Sequence, residues 1–315
     1  MARKNTPLQP GIRLENYRIL KTLGGGGFSL VYLCVDESTQ KKVAIKEFIP
    51  FKICERDLDG EVIPIGETER EIFNHGRKSF INEATTLSKC KHPNIVNVVN
   101  FFQANGTSYM VMIYEEGTNL QTYIKARKGH LSEKFLRTIF PPLMKGLKYI
   151  HDNGLLHLDI KPGNVHVRPG GSPLLIDFGA VHSMHISRRT QHTQIVTPGF
   201  SPIEQYEIGK GYVGPWTDIY ALGATMRACI EGTSPPTAME RSKKDIMKPA
   251  SVQFKKNYSE ALLKVIDWSM EMDQMLRPQK IDDLLEALKG SYPGEHNQEP
   301  DTMLERLVNN LKWHK

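Results

Sequence analysis

Three short runs near the start of the chain, residues 17–23, 30–35 and 42–48, alternate apolar and polar side chains. A period of two is what a half-buried strand requires, so these runs predict three strands. Gly24-Gly25-Gly26-Gly27 separates the first two and makes them a hairpin in an antiparallel sheet. Residues 49–72 lose the pattern. Asp57-Leu58-Asp59-Gly60 reads as a turn there, and Val62, Ile63 and Ile65 as a short strand at most. Over 70–90 the apolar positions Phe73, Phe80, Ala84 and Leu87 fall on one helical face. Two more strands follow, 95–103 and 109–114, joined at Ala104-Asn105-Gly106.

Beyond Glu115-Glu116-Gly117 the period becomes helical, over 120–128, 133–153, 216–231, 260–272 and 281–289. Two strand-like pieces, 165–168 and 174–176, flank a Gly-Gly turn. The chain therefore divides into a polar arm (1–16), a sheet-rich lobe (17–116), a helix-rich lobe (117–290) and a tail (291–315). The tail opens as a linker and closes on Leu304, Leu307, Val308 and Leu311, the stripe of one short amphipathic helix. The fold class is α+β: a small antiparallel sheet lobe with one main helix, and a larger, mostly helical lobe.

Composition narrows the possibilities without choosing among them. At 39% hydrophobic and 24% charged, the 315 residues can build a buried core, which excludes a disordered chain. The net charge of +6 suits phosphate-bearing or acidic partners as well as an ordinary solvated surface, so no nucleic-acid partner is expected from it. Cys34, Cys54, Cys90 and Cys229 stand apart, with no CxxC pair, and read as reduced thiols. The first residues lack the apolar stretch of a signal peptide, and no apolar run approaches the roughly 18 residues of a membrane span. A cytoplasmic chain with no membrane segment of its own is the expectation, and composition sets no oligomeric state.

Chemistry enters with three blocks. Glycines at 24–27 let backbone N–H groups approach phosphate oxygens with no Cβ in the way. Because a strand follows this loop, a dinucleotide-binding fold is a poor fit. Val43-Ala44-Ile45-Lys46 then puts a lysine on a strand beside that loop, with Glu83 on the following helix as its candidate partner. Taken alone, four glycines in a hairpin and a strand lysine with a snorkelling stem fit a protein that binds no phosphate better than one that does. The third block decides: His157-Leu158-Asp159-Ile160-Lys161-Pro162-Gly163-Asn164, then Asp177-Phe178-Gly179 after a hairpin. One carboxylate can take the proton of an attacking hydroxyl, Lys161 can neutralise a phosphoryl group, and Asn164 and Asp177 are oxygen ligands suited to Mg²⁺.

These blocks, in this order, resemble the eukaryotic-like Ser/Thr protein kinases of bacteria, and the likeness runs from about Tyr17 to Leu288. It extends to Lys46-Glu47-Phe48-Ile49-Pro50, Phe80-Ile81-Asn82-Glu83-Ala84, the segment Thr197 to Tyr206, and Gly214 to Gly223. The resemblance implies a bilobal protein-kinase fold with ATP in the cleft and Mg²⁺, or alternatively Mn²⁺, on its phosphates. It implies transfer of the γ-phosphoryl group to Ser/Thr hydroxyls of protein substrates, with autophosphorylation. By the same likeness Lys46 contacts the α/β-phosphates and pairs with Glu83, and Asp159 is the catalytic aspartate. Lys161 meets the γ-phosphate, while Asn164 and Asp177 hold the metal. Leu23, Gly24, Gly25, Gly26, Gly27, Phe28 and Ser29 form the loop over the nucleotide. Val31 and Ala44 roof the base, Met112 is the gatekeeper, the backbone of Ile113 and Glu115 reads the adenine edge, Asn119 meets the ribose and His166 lies beneath the base.

The departures from the family pattern carry information too. Ser29 replaces the third loop glycine, and His166 stands where an aliphatic residue is usual. Leu158 replaces the arginine that meets a phosphorylated activation loop. The stretch between Lys46 and Glu83 is longer than a strand-to-helix connection needs; the resemblance implies an ordered insert beside the glycine loop, with a floppy loop as the alternative. Glu204 is expected to pair with Arg277 in the resemblance. His182, His185 and His192 lack companion ligands at zinc spacing and read as loop residues. A nucleotide-binding pseudokinase scaffold and a small-molecule phosphotransferase are the rival functions. Joint retention of Lys46, Glu83, Asp159, Asn164 and Asp177 argues against the first, and the Thr197–Glu204 segment against the second.

Overall fold

The computed structural model describes residues 6–177, 182–183, 196–206 and 212–290. The chain opens with β1 (Arg13–Leu14), β2 (Tyr17–Gly25), β3 (Ser29–Asp36) and β4 (Lys42–Phe48). A small hairpin of β5 (Cys54–Arg56) and β6 (Val62–Pro64) follows, then the helix α1 (Glu67–Lys89). The strands β7 (Val98–Ala104) and β8 (Thr107–Ile113) complete an antiparallel sheet in the order β1-β2-β3-β4-β8-β7.

The alternation that predicts these strands also assigns their faces. Val43 and Ile45 of β4 join Tyr32, Tyr109 and Val111 in an apolar cluster on the outer face. Ala44 packs with the other cluster, which holds Met110 and Met112 of β8 and Phe80, Ala84 and Leu87 of α1. That cluster continues into the helical lobe, so one core runs through both lobes along the cleft side. The helix starts at Glu67, earlier than the apolar stripe alone indicates, with Glu67 and Glu69 in its first turn where the helix dipole favours acids.

Residues 6–16, expected as an arm ahead of the lobe, are part of it. Leu8 and Leu14 are buried in the outer cluster, and Arg13 and Leu14 pair with Arg18 and Tyr17. Two leucines in a polar stretch suffice, because each gains roughly 1.5–3 kcal/mol on leaving water. The insert after β4 is ordered as expected, though as a two-stranded hairpin instead of one short strand.

The helical lobe begins with β9 (Thr118–Asn119), α2 (Leu120–Arg127) and α3 (Glu133–Asp152). Next come β10 (Leu155–Leu156), β11 (Val165–Val167), β12 (Pro173–Leu175) and β13 (His182–Ser183). The helices α4 (Pro215–Glu231), α5 (Ala238–Lys243), α6 (Ala250–Gln253), α7 (Glu260–Ser269) and α8 (Ile281–Ala287) complete it. Asn119, Ser132, Thr237 and Ser259 each cap a helix by accepting a backbone N–H three residues on. Pro141 and Pro142 lie inside α3, which keeps its course because its apolar face is anchored in the core. α4 is apolar nearly all round and is buried from Thr217 to Ile230, which makes it the central beam of the lobe. Among the described residues no helix is long and apolar enough to cross a membrane. The tail stripe at Leu304–Leu311 and the loop histidines 185 and 192 lie outside the described residues, as do the side chain of His182 and residues Phe178 and Gly179.

Candidate active site

The cleft between the lobes is lined by β4 from above and by the loop between β10 and β12 from below. β4 carries Lys46, whose Nζ forms an ion pair with Asp177 and lies 4.0 Å from Glu83 of α1. Burial works against the charge on Lys46, but Asp177 and Glu83 outweigh it and raise its pKa. Glu83 responds in the opposite sense: burial pushes its carboxyl up to about 7, against the pull of Lys46, and Asp177 adds to the rise. Lys46 is thus shared between two carboxylates, and Asp177 holds it more closely than Glu83 does.

Below, Asp159 is the centre of a dense polar cluster. Its Oδ1 accepts the Thr197 hydroxyl at 2.6 Å, and Lys161 Nζ donates to Oδ1 and Oδ2 at 2.9 and 2.7 Å. Asn164 Nδ2 donates to Asp159 Oδ2 at 2.9 Å and to its backbone carbonyl at 2.8 Å. Lys161 also reaches the Thr197 hydroxyl at 3.2 Å. The amide nitrogen of Asn164 is therefore committed inward, which leaves its side-chain carbonyl oxygen as the atom that could accept a metal. Ile176 N donates to Asn164 O at 2.9 Å and so sets the position of Asp177 beside it.

The loop that presents Asp159 is held from behind by Asp218 of α4. Asp218 Oδ2 accepts the amide of His157 at 2.9 Å and Oδ1 that of Leu158 at 2.7 Å, while His151 Nε2 lies 2.8 Å from Oδ2. Burial opposes ionisation of Asp218, yet these hydrogen bonds and the neighbouring histidines hold its carboxyl below the usual range. Gln205 Nε2 donates to Leu158 O at 2.9 Å from the other side. Such bracing is required because Leu158 and Asp177 both have left-handed backbones, φ 59° and 62°, a conformation costly for residues with a Cβ. Burial lowers the pKa of His157, and its Nδ1 accepts the Asp159 amide at 3.2 Å.

The glycine loop spans the end of β2 and the start of β3. Only Gly25 is demanded by packing there, since a Cβ would meet Leu30 Cδ2 at 2.7 Å. A Cβ on Gly24, Gly26 or Gly27 would meet nothing within 4 Å, so the protein itself does not require glycine at those positions. Their backbone is open to close approach from outside. Leu23 and Phe28 are exposed at the loop, as an open cradle needs.

The residues that the resemblance places around a base lie on β3, β4, β8, β9 and β11 and the segment after β8. Val31 lies opposite Lys46 in the β3–β4 register, and Ala44 lies opposite Met112 in the β4–β8 register, which puts Val31, Ala44 and Met112 on three adjoining strands. Ile113 N donates to Asn97 O at 3.0 Å, so that amide is committed within the protein. Glu115 lies 3.4 Å from Arg168 through its side chain. His166 pairs with Asn119 between β11 and β9, on the floor of the cleft. Its ring abuts Gly117, whose φ is 144° and where a Cβ would sit 2.7 Å from His166 Nε2 and 2.3 Å from Val167 O. Asn119 itself is a helix cap: its Oδ1 accepts from the Thr122 amide at 2.9 Å and hydroxyl at 2.8 Å, so only its Nδ2 remains for a ribose.

Two features lie outside the motif reading. Asp218 and Gln205 lie within residues 214–223 and 197–206, but no motif marks their part in bracing the loop. An acid inside an almost wholly apolar helix is the signal that could have found Asp218, because a buried charge must have partners. Among the described residues no group of three acidic, histidine or cysteine side chains could hold a metal unaided.

The chain matches the protein kinase domain family over residues 17–289. It is 33% identical over 215 residues to human "Serine/threonine-protein kinase Nek5", covering 68% of this chain and 27% of that protein. With "Serine/threonine-protein kinase PrkC" of Bacillus subtilis the identity is 31% over 219 residues, 70% of this chain and 31% of the other. With "Serine/threonine-protein kinase PknA" of Nostoc it is 32%, covering 70% and 38%. The chain thus spans roughly a third of these relatives. Among solved structures, "PpkA-294 apo form" superposes with a TM-score of 0.81 at 35% identity, covering 90% of this chain and all of the other.

Proposed function

We propose a reaction from one premise, that this chain belongs to the protein kinase family: it transfers the γ-phosphoryl group of ATP to Ser/Thr hydroxyls of proteins. The observation that carries the reading is the setting of Asp159, a carboxylate that already accepts a threonine hydroxyl at 2.6 Å with a lysine ammonium 2.7 Å away. In the reaction Asp159 orients the acceptor hydroxyl and takes its proton. The oxygen–phosphorus bond to the acceptor forms as the bond from the γ-phosphorus to its bridging oxygen breaks, and ADP leaves. Lys161 neutralises the transferred group, while Lys46 and the amides of residues 24–29 hold the other phosphates. Glu83, whose Oε1 lies 4.0 Å from Lys46 Nζ, positions that lysine. Mg²⁺, or Mn²⁺ in its place, supplies charge neutralisation of the phosphates when held by Asn164 and Asp177.

Protein acceptors are favoured by the segment that carries Thr197. Ser201 Oγ accepts the Thr197 amide at 3.0 Å, Phe200 is buried, and Glu204 anchors the far end through Arg277. This builds a fixed platform next to Asp159, a use a small-molecule enzyme lacks. A cytoplasmic setting, where ATP and Mg²⁺ are plentiful and four buried thiols stay reduced, belongs to the same proposal. The test is incubation with γ-labelled ATP, Mg²⁺ and a basic acceptor protein, followed by phosphoamino-acid analysis. Phosphoserine and phosphothreonine are expected. Nucleotide binding without any transfer would instead identify a pseudokinase scaffold.

A further inference from the structure

Glu47 follows Lys46 in β4 and points the opposite way, into the outer cluster, where transfer chemistry does not use it. Its side chain is 0% exposed. Oε2 accepts the Tyr32 hydroxyl at 2.7 Å and Arg56 NH2 at 2.6 Å, and Oε1 accepts the Tyr109 hydroxyl at 2.7 Å. Burial and the charge of Glu47 push both tyrosine pKa values up, so both remain donors. A carboxylate placed among apolar side chains is costly unless paired in this way. Arg56, its cationic partner, comes from the insert.

Arg56 joins three parts of the chain through one guanidinium. Besides Glu47 of the sheet, it donates to Gly60 O at 2.9 Å in the insert's turn and to Thr6 O at 3.0 Å in the N-terminal segment. The insert in turn holds the glycine loop. Ile49 N donates to Phe28 O and Phe51 N donates to Gly27 O, both at 2.9 Å. The span between these bonds and Arg56 is itself closed. Pro50 O accepts from Ile53 N and Cys54 N at 3.0 and 3.2 Å, and Ile65 N donates to Ile53 O at 3.1 Å. A continuous set of bonds therefore runs from the buried carboxylate to the tip of the loop.

We propose that Glu47 and Arg56 are positioning residues for nucleotide binding: the pair fixes residues 49–56, which hold Gly27 and Phe28 in place for the phosphates. The proposal rests on the reading of residues 24–29 as the ATP cradle. A loop ordered only when nucleotide arrives subtracts the cost of its ordering from affinity, and a loop held in advance does not. The loop touches nucleotide both before and during transfer, so releasing it weakens ground state and transition state alike. The expected signature is a raised KM for ATP with kcat unchanged.

The test uses the full chain and the variants Arg56→Met, Arg56→Lys and Glu47→Gln. Steady-state transfer is measured against ATP concentration, with the Kd of a fluorescent ATP analogue and amide hydrogen exchange at residues 49 and 51. For Arg56→Met a roughly tenfold rise in KM and Kd is expected, the scale of one charge-assisted hydrogen bond, with kcat unchanged. Arg56→Lys should recover part of the affinity, because it keeps the charge but loses the planar fork. Exchange at residues 49 and 51 should quicken in step with KM. A lower melting temperature with KM for ATP unchanged would make the pair merely structural and overturn the proposal, as would a fall in kcat at constant KM. Should Arg56→Met not fold, the same two outcomes in Arg56→Lys and Glu47→Gln decide it. Failure of the underlying reading is distinct: the unmodified chain itself would bind no ATP analogue.

Discussion

Glu83 is where burial and charge oppose each other most directly. Its carboxyl is raised from its ordinary 4.5 to about 7, by burial first and against the attraction of Lys46. An acid whose folded value lies above its unfolded one binds more protons when folded, so stability falls as pH rises through that interval. In Glu83→Gln the contribution is absent. The melting temperature of Glu83→Gln minus that of the unmodified, nucleotide-free protein should therefore grow between pH 4.5 and about 7 and level off above it. A difference that stays constant across that window would show that Lys46 keeps Glu83 ionised throughout. At this scale the sequence carried much of the site: Lys46, Asp159, Lys161, Asn164 and Asp177 lie together as their motifs imply. It did not carry the choice of Lys46 between Asp177 and Glu83, because that depends on distances between elements and not on residue type.

At the scale of elements, the pairing of Glu204 with Arg277 locks the platform segment onto the helical lobe. Arg277 NH1 and NH2 reach the two carboxylate oxygens at 2.6 and 3.2 Å, and Thr217 donates to Glu204 Oε1 at 3.1 Å. The guanidinium also lies 4.9 Å from the Tyr220 ring centroid. Arg277→Ala strands the buried carboxylate, at a cost of about 3–5 kcal/mol, and should lower the melting temperature clearly. An unchanged melt would mean that the pair contributes nothing. Gly117→Ala makes a second prediction, since its Cβ would meet Val167 O at 2.3 Å where β9 begins. Displacing that backbone and the His166 ring against it should raise the KM for ATP, and an unaltered KM would show that the base does not rest there. Strands and long helices were legible because their periods repeat. The short helices α5 and α6 were not, and neither was β1, because a few residues give no period to read. The β5–β6 hairpin was half-legible: its turn residues show in sequence, whereas the Glu47–Arg56 pair that folds it inward is a long-range contact.

At the scale of the whole molecule, two lobes share one apolar core on the cleft side, and the loop that carries Asp159 is braced from α4. Leu158 belongs to that bracing. It is 4% exposed and packs with Leu156 and Val213, where an arginine would instead offer a cation to a phosphate. Initial rates on an outside substrate should therefore be similar before and after phosphatase treatment, and a tenfold loss would show that another cation serves. The central claim is that Asp159 acts on the acceptor hydroxyl while other groups hold the nucleotide. Its most direct test measures, for Asp159→Asn and the unmodified chain side by side, the rate of phosphoryl transfer and the affinity for ATP. Transfer should fall by roughly 100-fold or more, with ATP affinity retained. More than a tenth of the original rate, or loss of transfer only in proportion to lost ATP binding, would contradict the account.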